Sequence, residues 1–484
     1  MTLRRILTTA IAAVAVLAGP AATAGASTTL PAPYVAISAN GLPGAPGPAR
    51  VASLERLRAL GVRAVRIDFR WADIEPIGPP LHDYDWSAQD ALVRDIRAAG
   101  LEILGIIDYG HPDYSAAGRA AYDAGRRAAG SFGVGDPEMY PPDDPASFAR
   151  FAADVASRYR HDVGRWEIWN EENGGWRFWL PKEDPAAYAR LLCAAHTAVH
   201  AADPGAPVAL GGLFFPPLGG HIGTGGVRFL RAVLDRGPAG VGQCFDAVAF
   251  HPYAYPFTSP EAVVQDRGSV IGAAAQLRQV LAAHHLAATP LWNTEVGWPT
   301  NPVSNGVTEA RQARYTARLA LLSWARGVRL LTWYTVGDTP DATGKDQEAH
   351  FGLFRLDGSA KPAARALETL QRTLGDGLRY VGDRSRTLGL PRGHAGVGQG
   401  VALEFRGPGR RHVLALWLAD ERPPAGPSPF APVEPGTPRS TIVVRLTVPR
   451  PASVTTMLGV ARGALPASGL VRVGQDPVYV AWRG

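Results

Sequence analysis

Two short segments of this 484-residue chain carry residue types that can do chemistry together. The first is Trp166-Glu167-Ile168-Trp169-Asn170-Glu171-Glu172-Asn173. The second is Leu291-Trp292-Asn293-Thr294-Glu295-Val296-Gly297-Trp298. In each, a glutamate stands just past an apolar, β-prone run. A carboxyl group with a raised pKa can act as general acid and then general base, and an ionised one can act as nucleophile. Two such groups brought to one cleft by different strands have what glycosidic bond cleavage needs. On that reading Glu171 is the acid/base, Glu295 the nucleophile, and Asn170 a hydrogen-bonding neighbour for a sugar hydroxyl. The plainer alternative makes Asn170 and Glu171 loop caps and Glu295 a structural carboxylate.

Either reading needs a scaffold that gathers distant strand ends. Strand-like and helix-like patterns alternate from about residue 34 to residue 374. The candidate strands are Tyr34–Ser38, Ala64–Phe69, Ile103–Asp108, Arg165–Trp169, Val208–Gly212, Ala247–His251, Leu291–Glu295 and Leu330–Tyr334. Most are short apolar runs, as a parallel sheet buried on both faces requires. Between them, Phe148, Phe151, Ala152, Val155 and Tyr159 share one helical face, and Val51, Leu54, Leu57 and Leu60 recur at a similar spacing. Gly61, Gly100 and Gly327 each follow a helical pattern and precede a strand, where a left-handed residue can end the helix. Eight such units predict an α/β fold, a (β/α)8 TIM barrel, over residues 27–374. A doubly wound open sheet is the alternative, and no glycine-rich phosphate loop supports it. The connections 109–146, 213–228 and 252–268 are rich in turn formers. In a barrel they lie beyond the strand C-termini, where sites are built.

After about residue 375 the pattern changes to alternating segments: Val401–Phe405, His412–Leu418, Thr441–Val448, Ser453–Leu458 and Val471–Trp482. Turn-rich stretches, notably Pro423–Pro438, separate them. Residues 375–484 are therefore expected to form a small C-terminal all-β, sandwich-like domain. It can serve to pack on the barrel or to bind carbohydrate. Its two tryptophans, Trp417 and Trp482, do not make a broad stacking platform.

The first residues read as a secretory signal peptide, residues 1–26, with Arg4 and Arg5 ahead of an apolar stretch and a small-residue cleavage site at Ala24-Gly25-Ala26 or Ala22-Thr23-Ala24; an uncleaved anchor is the alternative. Without them the net charge of +6 falls by two. The remaining charges are scattered, so neither a nucleic-acid partner nor, after cleavage, a membrane is expected. In an oxidising compartment Cys193 and Cys244 can pair; two separate buried thiols are the alternative. No cysteine or histidine spacing of the metal-binding kind stands out, and no metal or organic cofactor is expected. Nothing in the sequence specifies an oligomeric state.

The motif Trp-Glu-Ile-Trp-Asn-Glu, the placement of the two glutamates on strands four and seven, and the eight-strand pattern together resemble the retaining glycoside hydrolases of clan A, most closely families 39 and 5. The resemblance covers residues 34–374. It implies a retaining hydrolase of a β-linked oligo- or polysaccharide, which the signal peptide would make a secreted one, with Glu171 as acid/base and Glu295 as nucleophile. Further residues follow from it. His251 and Tyr253, ending strand six, stand near the nucleophile, with the tyrosine hydroxyl able to donate to it; a satisfied buried pair is the alternative. Arg66 resembles the clan arginine beside the nucleophile, unless it pairs with Asp68. Trp333 resembles the tryptophan that floors the sugar subsite, and otherwise is core. Trp298, Trp176, Trp179 and His111 are weaker sugar-contact candidates. Glu172 stands where family sequences commonly carry proline, which loosens the turn and adds a carboxylate. A non-catalytic carbohydrate-binding barrel and a transglycosylase are the alternative functions on this scaffold.

Overall fold

Eight strands pair in chain order and close on themselves: β1 (Val35–Ser38), β2 (Ala64–Arg70), β3 (Glu102–Asp108), β4 (Val163–Asn170), β5 (Val208–Phe214), β6 (Ala247–His251), β7 (Leu291–Val296) and β8 (Val328–Tyr334). Every neighbouring pair is parallel, including β8 with β1. This is the TIM barrel that the alternating pattern predicts. The computed structural model describes residues 35–484 apart from 40, 43, 126–134, 216–223, 255–257, 263–269, 304–305, 376, 395–396 and 420–440. The signal-peptide reading of residues 1–26 and the turn-rich stretch 423–438 fall outside the described residues.

Among the described residues ten helices connect the strands or follow them: α1 (Gly47–Ala59), α2 (Trp71–Ile74), α3 (Ser87–Ala98), α4 (Ala116–Asp123), α5 (Pro145–Tyr159), α6 (Pro185–Ala202), α7 (Gly226–Arg236), α8 (Val270–Ala283), α9 (Glu309–Ala325) and α10 (Pro362–Leu374). Local sequence explains several ends. Asp144 and Asp184 accept hydrogen bonds from the first free backbone N–H groups of α5 and α6, and a proline follows each where no N–H is needed. Gly61, Gly100 and Gly327 adopt φ of +80°, +72° and +72° just past a helix, as expected. The predicted stripe of α5 is buried throughout. That of α1 is shorter than its spacing suggests: Leu54 and Leu57 are buried, whereas Val51 faces solvent.

Beyond α10 the chain forms β9 (Arg379–Asp383), β10 (Arg392–His394), β11 (Val397–Gly407), β12 (Arg411–Ala419), β13 (Ile442–Arg445), β14 (Ala452–Thr456), β15 (Ala461–Ala464), β16 (Leu470–Val473) and β17 (Val478–Arg483). All pairings are antiparallel. The main sheet runs β10-β11-β12-β17-β14-β15 with β9 on β11, and β13 and β16 form a separate pair. The expected single strand Val471–Trp482 is two strands in different sheets. Gly474 to Pro477 interrupts it, and Pro477 has no N–H to offer a ladder.

Period-two alternation makes the main sheet apolar on both faces. Ala402, Leu414, Leu416, Val478 and Val480 pack with Val444, Val471 and Val473 of the small pair, giving the sandwich. Leu403, Phe405, Val413, Ala415, Trp417 and Tyr479 belong to the barrel's own core. Trp417 is fully buried, and Trp482 stacks on His412 at 5.1 Å, so neither presents an open platform.

One buried cation stitches the two parts. Arg318 of α9 is fully buried and donates to the carbonyls of Gln475 and Leu418. It also pairs at 3.5 Å with Glu261, whose other oxygen accepts from Trp417 Nε1 at 2.6 Å. Removing one partner of a buried pair leaves an uncompensated charge, at about 3–5 kcal/mol. Arg318→Ala is therefore expected to lower the thermal unfolding midpoint sharply, which calorimetry would read.

Candidate active site

Strand β2 and the C-terminal ends of β4, β6 and β7 bring most of the candidate residues together around one buried cation. Arg66 of β2 donates through Nε to Glu167 Oε2 at 2.9 Å, through Nη2 to Asn170 Oδ1 at 3.0 Å and through Nη1 to Glu295 Oε2 at 3.3 Å. Asp68, the alternative partner, is not among its ion pairs. Burial opposes the charge on Arg66, but Glu167, Glu295 and Asp68 outweigh it and hold its pKa up.

Strand β4 has to turn neighbouring side chains in different directions. Glu167 points to Arg66, and a period of two would send Trp169 the same way. Instead Trp169 has φ +69° and packs against Phe148 and Trp179, its Nε1 donating to the Phe178 carbonyl. Glu171 follows at φ +50°. Left-handed backbone at a residue with a side chain costs on the order of 1–3 kcal/mol. Here it delivers Asn170 and Glu171, consecutive residues, to one cavity.

The two carboxyl groups face each other across His251. An oxygen of Glu171, a ring nitrogen of His251 and an oxygen of Glu295 all lie within 4.8 Å of one another. Both oxygens of Glu295 accept: Oε1 from the Tyr253 hydroxyl at 2.6 Å and Oε2 from Arg66. Burial, then the charge of Glu295, holds the Tyr253 pKa well above its ordinary value, so it stays a donor. Glu171 makes its contact with His251, Oε1 to Nδ1, at 2.7 Å.

The tautomer of His251 follows from its other side. Thr294 donates its hydroxyl proton to Glu167 Oε1 at 3.1 Å, so the 3.1 Å contact between Thr294 Oγ1 and His251 Nε2 takes its proton from the imidazole. Burial lowers the His251 pKa to about 4, so the ring is neutral near pH 7. With its one proton on Nε2, Nδ1 is an acceptor, and the proton in the 2.7 Å contact belongs to Glu171. Burial raises the Glu171 pKa to about 7, in the same direction. Burial leaves the Glu295 pKa raised as well, against the pull of His251, Arg66 and the Tyr253 hydroxyl. The pair is thus asymmetric: one carboxyl backed by a proton acceptor, the other clasped by two donors.

Two glycines of β5 make room for this. A Cβ on Gly212 would sit 2.1 Å from His251 Nε2, and one on Gly211 would sit 2.6 Å from Glu172 Oε2. Glu172 is fully buried against Gly211, and its oxygens have no hydrogen-bond partner from another residue among the described ones.

Other candidates fall elsewhere. Trp333 and Trp298 are buried and stack on each other at 5.8 Å, so neither offers a ring face to a sugar. The half-buried aromatic at the end of β8 is the next residue, Tyr334, which packs edge-on to Tyr253 and donates to Glu348 Oε2 at 3.2 Å. His111 is held at both nitrogens, Nε2 by the Glu75 carbonyl at 2.8 Å and Nδ1 by the Asp113 N–H at 2.9 Å, and acts as a cap. Trp179 is core, and Trp176 lies half-buried in the loop after β4. Asn170 also donates to Tyr109 Oη at 2.9 Å. Cys193 and Cys244 form a disulfide away from the cleft.

The fold is the one seen in solved glycoside hydrolases of families 39 and 30. Among solved structures it is similar to a family 39 glycoside hydrolase from the gut symbiont Bacteroides cellulosilyticus WH2, with TM-score 0.66, 19% identity, and 92% of this chain and 80% of that chain covered. A monomeric β-xylosidase from Caulobacter crescentus CB15 gives 0.61 and 16% over 93% of this chain and 95% of that one. A family 30 endoxylanase from Clostridium papyrosolvens C71 gives 0.58 and 10% over 95% and 98%. No protein-family model and no curated protein matches the sequence.

Burial raises the Glu172 pKa well above its ordinary value. A raised folded pKa contributes stability that is complete below the unfolded value, about 4.3, and is lost as pH rises toward the folded one, at about 1.4 kcal/mol per pH unit. Glu172→Gln has no proton to take up. Its stability relative to the wild type is expected to climb between pH 4 and pH 7 in denaturant titrations; parallel pH dependence would remove the account.

Proposed function

We propose that this chain is a secreted retaining glycoside hydrolase that cleaves a β-linked oligo- or polysaccharide by double displacement. The observation that carries the reading is the short, asymmetric carboxyl pair. Retaining enzymes hold their two carboxyl groups about 5–5.5 Å apart, whereas inverting ones leave about 6.5–9.5 Å for a water. Oxygens of Glu171 and Glu295 within 4.8 Å of one another fit the first class.

Glu295 attacks the anomeric carbon while the glycosidic C–O bond breaks, and the leaving oxygen takes the proton of Glu171. Tyr253 and Arg66 orient the nucleophile through both its oxygens. Water then attacks the anomeric carbon, gives a proton to Glu171 and releases Glu295. Ionised Glu171 faces the lone pair of His251 Nδ1, which favours recapture of that proton. Asn170, fixed between Arg66 and Tyr109, is placed to bind a hydroxyl beside the scissile bond. The names of the similar structures, a β-xylosidase and an endoxylanase, support a β-linked sugar as substrate. The Cys193–Cys244 disulfide supports an oxidising, extracytoplasmic destination.

Sugar release from β-linked polysaccharides and aryl β-glycosides tests the reading. Glu295→Ala is expected to lose at least about 10³-fold in kcat with its fold intact; full activity would sink the assignment. The acid must be protonated, so kcat/KM is expected to fall as pH rises through about 7. In Glu171→Gln this alkaline limb should vanish, and substrates with poor leaving groups should suffer far more than activated aryl glycosides.

A further inference from the structure

A second cluster of ligating side chains lies at the opposite end of the barrel from the carboxyl pair. His196 and His200 are one helical turn apart on α6, and Asp246 sits just ahead of β6, whose far end carries His251. One atom from each of the three lies within 4.8 Å of the other two. The Nε2 atoms of His196 and His200 are 3.7 and 3.0 Å from Asp246 Oδ2. Tetrahedral ligation at about 2.0–2.1 Å sets donor atoms roughly 3.3 Å apart, midway between these distances.

The third ligand is fixed in advance. Asp246 Oδ2 accepts the Val208 N–H at 2.8 Å and its own N–H donates to the Val208 carbonyl at 2.7 Å, tying it to the start of β5. The disulfide joins the same two segments, since Cys193 lies one turn before His196 on α6 and Cys244 two residues before Asp246. His196 Nε2 is buried and has no hydrogen-bond partner among the described residues, Asp246 Oδ2 standing 3.7 Å away, which leaves a lone pair or a proton poorly satisfied beside a carboxylate. The side chains of His200 and Asp246 remain 31% and 39% exposed, giving an ion a way in.

We propose that His196, His200 and Asp246 form a binding site for one divalent transition-metal ion of the zinc type, with the remaining coordination position open to water. Two imidazoles at i and i+4 with one carboxylate suit zinc or cobalt, and not the oxygen-preferring magnesium or calcium. The ion bridges α6 to the entry of β6 alongside the disulfide, so its effect is on stability and not on the cleft.

The test uses the whole oxidised protein, stripped with a chelator and titrated with zinc and with cobalt(II). One saturable equivalent is expected by calorimetry, with a visible cobalt band of tetrahedral intensity and a zinc-dependent rise in Tm of about 2 °C or more. His196→Ala and His200→Ala should each bind at least tenfold more weakly, with circular dichroism and sugar release unchanged. Glu295→Gln should bind as tightly as the wild type, which separates this site from the carboxyl pair. No saturable binding to the wild type, or binding unchanged in both histidine variants, would overturn the proposal and leave a hydrogen-bonded surface cluster only.

Discussion

Arg66 is the interaction on which the rest of the site depends. It is almost fully buried, and its guanidinium reaches β4 twice and β7 once. A charge in that position needs compensation, and carboxylates packed together need a cation. The two requirements satisfy each other: Glu167 balances most of the arginine, which leaves its Nη1 for Glu295. The planar fork of arginine has donors enough to serve three acceptors at once, which a lysine cannot do with the same fixed geometry.

From Glu167 a chain of hydrogen bonds runs outward through Thr294 and His251 to Glu171. Each link fixes the proton position of the next, so a carboxylate deep in the barrel determines which nitrogen of a histidine faces the cleft. The backbone yields to this chain. One left-handed residue on β4, another just past its end, and two adjacent glycines on β5 occur where the polar groups crowd closest, and strained or special backbone at such a cleft is where these costs concentrate.

Much of this was legible in the sequence. Buried parallel strands read as apolar runs, so all eight barrel strands stand where the pattern puts them, and the three helix-ending glycines mark the αβ register. Arg66, His251 and Tyr253 all lie against Glu295. Glu167 escaped notice although its signal was present: a charged residue inside an apolar strand must have a partner. Trp333 and Tyr334 are adjacent, and period two sends neighbours to opposite faces. Which of them faces the cleft depends on β7–β8 register shifts that no local pattern encodes. Likewise Val471–Trp482 alternates well enough to look continuous, and only its Gly-to-Pro interruption betrays the change of sheet.

Glu261 lies in the connection after β6, the strand that supplies His251, yet its carboxylate is bound to Trp417 of β12 and Arg318 of α9. A cleft-side loop is thereby moored to the C-terminal sheet, so that sheet cannot be treated as cargo. Exchanging it for another module, as one would with a tethered binding domain, would cut the mooring and expose the apolar face of β12 together with the barrel surface it covers. For engineering, the smallest portable unit is the barrel with its sheet, and changes to the cleft have to be sought in the other loops.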